Sequence, residues 1–432
     1  MNSIKGKRVA EWVKTVLIAL LTASALLLGW QTRLFNDFFS AIPLFGGVAA
    51  LGRGSVGTGA TESGGAALIE AARPLIIVIT NEEGDRYGVK YDTLARDIAY
   101  DRTSGILREA LGFASEALEI SEDEWRAALL RPGVYFEYAT PVKLSVLDGW
   151  LDARIPGTIG EVSLRRVFVA FGGDKSRIYY QNNDNGLFFA SDTASSSGKT
   201  QELEMYTANG AQFAFETGIG ASENAPYILI LPGNDYYDVQ AAAAGSVEEL
   251  LDKVFHAMGH SDETYTDYYE SDGALVRVGT QFNISADARG RVKYRRTDIY
   301  PLNGAEQTLS EGEAIENARI VVADTIGSLE SGAEVFFESL EYGGGNTWSV
   351  FFGYYIAGGR IHLYEDGYAA RIIFTEGSIT EIEVKLRSFT LGGEVTRLPS
   401  EKLVLAAAGG EFMLCYSDTG AEKLQPAWVL YN

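Results

Sequence analysis

The longest unbroken apolar run in this chain comes first. Residues 15–32, TVLIALLTASALLLGWQT, carry no charge, and a helix of that length just crosses the hydrocarbon core of a bilayer. Leu34, Phe35, Phe38, Phe39 and Ile42 then recur at helical spacing, which predicts an interfacial extension that Pro43 stops. Before the run stand Lys5, Lys7, Arg8 and Lys14, with Glu11 as the only acid. That bias predicts a cytoplasmic N-terminus (1–14), a transmembrane helix with its extension (15–42) and an extracytoplasmic remainder. Trp12 and Trp30 fall where an aromatic belt would place them. Ala23-Ser24-Ala25 would suit a cleaved signal peptide, but Leu26, Leu27 and Leu28 still follow it, and cleavage normally comes after the apolar core.

Residues 45–66 hold eight glycines in 22 positions. That is the composition of a flexible tether (43–72), and a coil of this length spans on the order of 25 Å. Beyond it the period changes repeatedly between two and 3.6, which predicts an α+β fold of helices and antiparallel β-meanders in three modules, 73–235, 236–304 and 305–432. The apolar run 74–80 reads as a buried strand and 91–113 as a helix. Ser121, Ser246 and Ser310 each have Glu three positions on, the capping-box spacing that opens a helix. Strands are predicted at 134–139, 166–171, 177–181, 186–190, 212–216 and 227–231, then at 274–278, 281–286 and 291–295. The last module adds strands at 335–342, 348–357, 360–364, 369–374 and 379–389, a helix near 401–408, and strands near 412–416 and 428–431. Asn185-Gly186 is a type I′ hairpin signal, and Gly358-Gly359 and Asp366-Gly367 are turn signals.

Charge narrows the partners. Residues 1–33 carry five basic side chains and one acid, so the total of −22 leaves −26 on residues 34–432. So acidic a surface repels nucleic acid and other polyanions. Cys415 is the only cysteine, so there is neither an internal disulfide framework nor a lipobox.

Each chemical motif fails at a required position. Gly52-x-Gly54-x-x-Gly57 follows no strand and lies in the tether. Ser197-Gly198-Lys199-Thr200 lacks the earlier glycine of a phosphate loop, since Thr193 stands there, and Ser196-x-x-Lys199 lacks a following Lys-Thr-Gly. Asn183-Asp184-Asn185-Gly186 has Gln181 at the first calcium position and Asp192 at the twelfth, so a turn explains it better. His256 and His260 are four apart, but Ala257 replaces the glutamate of a zinc protease and Gly259 ends the helix between them. His362 stands alone. No catalytic residue, cofactor site or metal site is nominated.

The first helix is more informative. Thr15, Ala19, Thr22, Leu26 and Gly29 share one face, and four of the five are small, the composition that lets a second helix approach closely in lipid. Thr15, Ala19, Thr22 and Gly29, with Phe35, Phe38 and Phe39 at the interface, are the predicted membrane contacts for a partner.

A short basic N-terminus, one transmembrane helix and α+β modules together resemble the YycH/YycI family. The segments 74–138, 265–296 and 348–374, with the Pro426-Ala427-Trp428 strand, carry the resemblance. It covers most of the chain but rests on pattern and order, and the glycine tether departs from it. The family consists of accessory proteins of the WalK sensor kinase of Gram-positive bacteria. The resemblance therefore implies a non-enzymatic, single-pass protein of the cell membrane. Its partners would be a sensor histidine kinase and a paralogous single-pass protein. The alternative is a membrane-anchored binding module for a cell-wall polymer or peptide, which an exposed groove lined by Tyr265, Tyr268 and Tyr269 would favour.

Overall fold

The computed structural model describes residues 71–156, 161–172, 176–193, 203–261, 263–297, 308–329 and 331–430. All of them belong to one compact unit, Val56–Asn432; the other unit, Met1–Ser55, lies outside the described residues. The cytoplasmic tail, the transmembrane helix with its extension and the tether up to residue 70 therefore lie outside them too. The described fold is α+β with almost entirely antiparallel sheets.

The first sheet is built from β1 (Ile76–Thr80), β2 (Arg86–Val89), β3 (Leu118–Ile120), β4 (Gly133–Lys143), β5 (Ser163–Ala170), β6 (Ser176–Gln181) and β7 (Phe188–Thr193). They lie in the order β2-β1-β4-β5-β6-β7-β3. β1 is buried along its whole length, which is why it reads as a continuous apolar run and not as an alternation. Ile77 and Ile79 face the cluster holding α1 (Thr93–Gly112), whose first turn Asp92 caps by accepting from Ala95 N at 2.9 Å. Ile76 and Val78 face a second cluster around the fully buried Trp125 of α2 (Glu122–Ala128). α3 (Leu144–Leu151) follows β4 directly.

Two local expectations fail for local reasons. The strand expected at 212–216 is only β8 (Gln212–Phe213), paired with β9 (Leu229–Ile230). Glu216 curls back to accept from Phe213 N at 2.7 Å, and the chain turns into a short 3-10 helix. At Asn185-Gly186 only the glycine has positive φ, so that turn is not type I′. Paired positive φ values instead mark Gly345-Asn346, Ala357-Gly358 and Glu376-Gly377, each between strands in register.

The rest of the unit forms β10 (Tyr236–Ala243), α4 (Val247–Ala257), β11 (Tyr265–Tyr269), β12 (Leu275–Gly279), β13 (Phe282–Ala286) and β14 (Arg291–Arg296). After α5 (Glu311–Thr325) come β15 (Glu334–Gly344), β16 (Thr347–Ile356), β17 (Gly359–Leu363), β18 (Ala370–Thr375), β19 (Ser378–Lys385) and β20 (Arg387–Thr396). α6 (Glu401–Ala408), β21 (Phe412–Asp418), β22 (Lys423–Leu424) and β23 (Pro426–Leu430) complete it. The boxes at Ser246 and Ser310 both close, with the serine accepting from the glutamate N–H and the glutamate from the serine N–H.

One eleven-stranded sheet runs β11-β12-β13-β14-β19-β18-β16-β17-β21-β23, with β15 paired beside β16. Arg291 to Arg295 of β14 pair with Lys385 to Glu381 of β19, so the middle and last segments share this sheet. The single strand expected at 379–389 is divided at buried Leu386. Its N–H donates to Gly290 O at 2.7 Å and its carbonyl accepts from Ala244 N at 3.0 Å. The chain thereby leaves the large sheet as β19 and enters a three-stranded sheet, β20-β10-β22, as β20.

Among the contacts that tie the first sheet to the last segment, two can be tested singly. Glu411, just before β21, reaches Arg165 at 2.8 Å and Arg166 at 2.5 Å on β5, and both arginines also meet the buried Glu137 of β4. Gly358, in the turn between β16 and β17, lies against the carbonyl of Lys90.

Burial alone would raise the Glu411 carboxyl, but Arg166 and then Arg165 outweigh it and hold it down from 4.5 to about 2. A depressed carboxyl contributes stability that is complete above the unfolded value and is lost as the pH falls through the folded one. Glu411→Gln should therefore lower stability at neutral pH and flatten the loss expected between pH 4.5 and 2, which an acid titration of the unfolding midpoint would read. At Gly358, φ is +68° and an added Cβ would stand 2.0 Å from Lys90 O, whereas Gly218 has φ +70° and open space around it. Gly218→Ala should cost only the left-handed backbone term, about 1–2 kcal/mol. Gly358→Ala should cost clearly more in denaturant unfolding, the excess measuring the contact between the first and last segments.

Candidate functional site

The site starts from how α6 is held. Ser400 caps it, accepting from Leu403 N at 3.4 Å, and Gly409 ends it with φ +68°. Its first residue, Glu401, is only 1% exposed. The Glu401 carboxylate accepts from Lys90 Nζ at 2.9 Å, Tyr91 OH at 2.5 Å and Leu231 N at 2.6 Å. Lys90 Nζ also donates to Leu229 O at 3.4 Å. Burial first, and the Glu401 charge second, push the Tyr91 phenol well above its ordinary value, so it stays a donor. A carboxylate in the first helical turn is also favoured by the helix dipole.

With its N-terminus fixed, α6 leaves an outward face beside β23. Between them runs an apolar groove of about 410 Å³, lined by Pro399, Leu403, Val404, Phe412, Trp428 and Leu430 among others, with no ionisable side chain. Leu403 is 60% exposed, Leu430 49% and Val429 44%, and they adjoin one another along the groove instead of standing singly. The Trp428 indole donates to Pro399 O at 3.0 Å, and its ring meets Phe412 edge-on at 5.3 Å. That fixes the groove floor. β23 is an outer strand of the large sheet. The arrangement can bind apolar side chains; it can move no proton and attack no bond.

A more polar cleft of about 600 Å³ is lined by Tyr87, Lys90, Tyr91, Asn209, Tyr236 and Tyr237 among others. Several of its polar groups already have structural work. Lys90 and Tyr91 serve Glu401. Asn209 accepts from Gly88 N at 3.0 Å and donates to Gly88 O at 2.7 Å. Asp92 caps α1.

The predicted membrane contacts Thr15, Ala19, Thr22, Gly29, Phe35, Phe38 and Phe39 lie outside the described residues, as does Ser196 to Thr200. No described helix is long and apolar enough to cross a membrane. α4 ends before His260, as Gly259 suggested. His256 Nδ1 meets Ser261 at 3.0 Å, while His260 meets Glu263 at 2.8 Å and stacks on Phe282 at 4.3 Å. Among the described residues no three His, Cys, Asp or Glu side chains are grouped to hold a metal. Asp184 and Asn183 accept from Ser163 N and Arg165 N, which ties their turn to β5. His362 lies on β17, 3.2 Å from Arg360 Nη1.

A groove lined by Tyr265, Tyr268 and Tyr269 together is excluded by the strand period. Tyr265 and Tyr269 face α4, touching Phe255 and Glu248, and Tyr268 points to the opposite face of β11.

No family model matches this sequence, and no curated protein does. Solved structures do match. An uncharacterized protein from Eubacterium rectale aligns at 13% identity over 45% of this chain and 76% of its own, with a TM-score of 0.32. YycH from Bacillus subtilis aligns at 11% identity over 84% of this chain and 94% of its own, with a TM-score of 0.55. In its fold, this chain is YycH-like.

Proposed function

We propose that this protein is a non-enzymatic, membrane-anchored regulator of a two-component system. Its folded part docks on a sensor histidine kinase, or on a paralogous single-pass protein beside it. The observation that supports this reading is the YycH-like fold, which extends over 94% of YycH. The groove between α6 and β23 offers the reading a surface, because its exposed apolar side chains can bind without chemistry. Thr15, Ala19, Thr22 and Gly29 would pack against a partner helix in lipid, with Phe35, Phe38 and Phe39 at the outer interface. Docking then shifts the kinase between signalling states by as much as the two states differ in affinity for this protein.

The test is a crosslinked pull-down from native membranes with three full-length proteins: wild type, a version with an unrelated transmembrane helix, and Leu403→Asp/Val429→Asp. Both substituted side chains are exposed, so the fold should survive. A sensor kinase should be recovered with wild type and lost with the exchanged helix. The groove variant should recover at least about tenfold less, since each buried apolar anchor is worth about 1.5–3 kcal/mol. If no kinase appears with any of the three, the regulator reading fails. The second reading, a binding module for a cell-wall polymer, then takes its place, favoured by the tyrosine-lined cleft.

A further inference from the structure

Sheet edges expose unpaired backbone groups, and natural proteins guard them with charge, proline, bulges, brevity or cover. Most outer strands here are guarded. Asn209 covers β2 by bonding both ways to Gly88. β3 has three residues, β23 begins with Pro426, and β15 lies against β4, where Thr140 donates to Phe337 O at 3.3 Å.

Among the described residues nothing covers β11, and its one charge is Asp267. Its sequence, YTDYY, contains no proline or basic residue, all five positions are exposed, and its register with β12 runs without a bulge. Glu270 N donates to Ala274 O at 2.8 Å, and this sets the parity of the ladder. Tyr268 with Val276, and Thr266 with Val278, are then the hydrogen-bonded pairs. The N–H and C=O groups of Tyr265, Asp267 and Tyr269 consequently point to the open edge.

The strand is also held ready. Arg277 lies 3.9 Å from the Tyr265 ring centroid and takes both Asp267 oxygens at 2.9 Å, which draws that carboxylate in from the edge. Tyr269 donates to Glu248. Tyr268, 48% exposed on the opposite face, offers a free ring. Glu248, Glu263, Glu270 and Asp272 surround the strand, while the nearest guanidinium, Arg277, is already committed to Asp252 and Asp267. A second copy docking edge to edge would set these acids against each other.

We propose that β11 is a docking edge for an extended, basic segment of a partner protein, which adds to the large sheet as a further strand. Main-chain bonds supply the affinity, and Lys or Arg at alternate positions meets the Tyr268 ring and Glu270, which share one face by the strand period. This surface is independent of the α6 groove, and its failure would leave the regulator reading untouched.

The test uses the full chain in mild detergent and a short synthetic peptide alternating Lys with Val. Amide exchange at Tyr265, Asp267 and Tyr269 should slow by at least about tenfold when the peptide binds, as expected of amides that gain ladder bonds. Binding should vanish when alternate peptide nitrogens are methylated or when Glu replaces Lys, and Tyr268→Ser should weaken it. Equal binding of the methylated peptide, unprotected β11 amides, no binding at all, or self-association through β11 would each overturn the proposal.

Discussion

Glu401 holds three distant stretches of chain at one point: Lys90 and Tyr91 after β2, Leu231 after β9, and the first turn of α6. An ion pair taken out of water gains little over a well-packed apolar replacement, but removing one partner leaves an uncompensated buried charge that costs about 3–5 kcal/mol. Such a cluster is therefore better at excluding alternatives than at adding stability. Only one placement of α6 satisfies three donors at once. Glu411 repeats the logic one turn beyond the helix, with Arg165 and Arg166 on the other side. Between these two fixed carboxylates, α6 has little freedom to slide.

The groove is a consequence of that restraint. Helix 401–408 reads EKLVLAAA, and Leu405 is its fully buried apolar side chain, in a small cluster with Ile228, Ile230 and Phe412 against which Val404 and Ala408 also pack. Leu403 is turned outward because Glu401 must point inward. An apolar residue held in water by a buried salt bridge elsewhere on the same helix is a cost that the isolated chain does not recover. A partner that covers it would recover it.

What could be read in advance follows the range of the forces involved. The two closed capping boxes need only four consecutive residues, and β1 declares itself because both of its faces are buried. The antiparallel α+β fold was legible for the same reason, many short alternating runs between turn residues. β10 was missed: its central position between β20 and β22 is set by strands far along the chain. The hairpin turns shifted to Ala357-Gly358 because Gly359 must open β17, where the Tyr416 ring leaves no room for a side chain. The groove gave one signal that could have found it: three successive apolar residues, Leu403, Val404 and Leu405, in a helix with only one face to bury. Glu401 and Glu411 gave none, being two acids among 58. No local pattern distinguishes a carboxylate that will be buried.

A groove of about 410 Å³ takes two or three apolar side chains. At about 1.5–3 kcal/mol each, their burial is largely offset by the about 4–15 kcal/mol that association costs in lost freedom. On its own this surface supports only a weak complex. Holding both partners in one membrane changes the arithmetic, because the second contact is then made at an effective concentration that reaches the millimolar range for short flexible links. In the proposed regulator the apolar helix and the glycine-rich stretch after it would supply that concentration, and the groove would supply selectivity. The division also fits a regulator that must let go. A contact this weak reverses quickly, and only the difference in its strength between two states of the partner biases them.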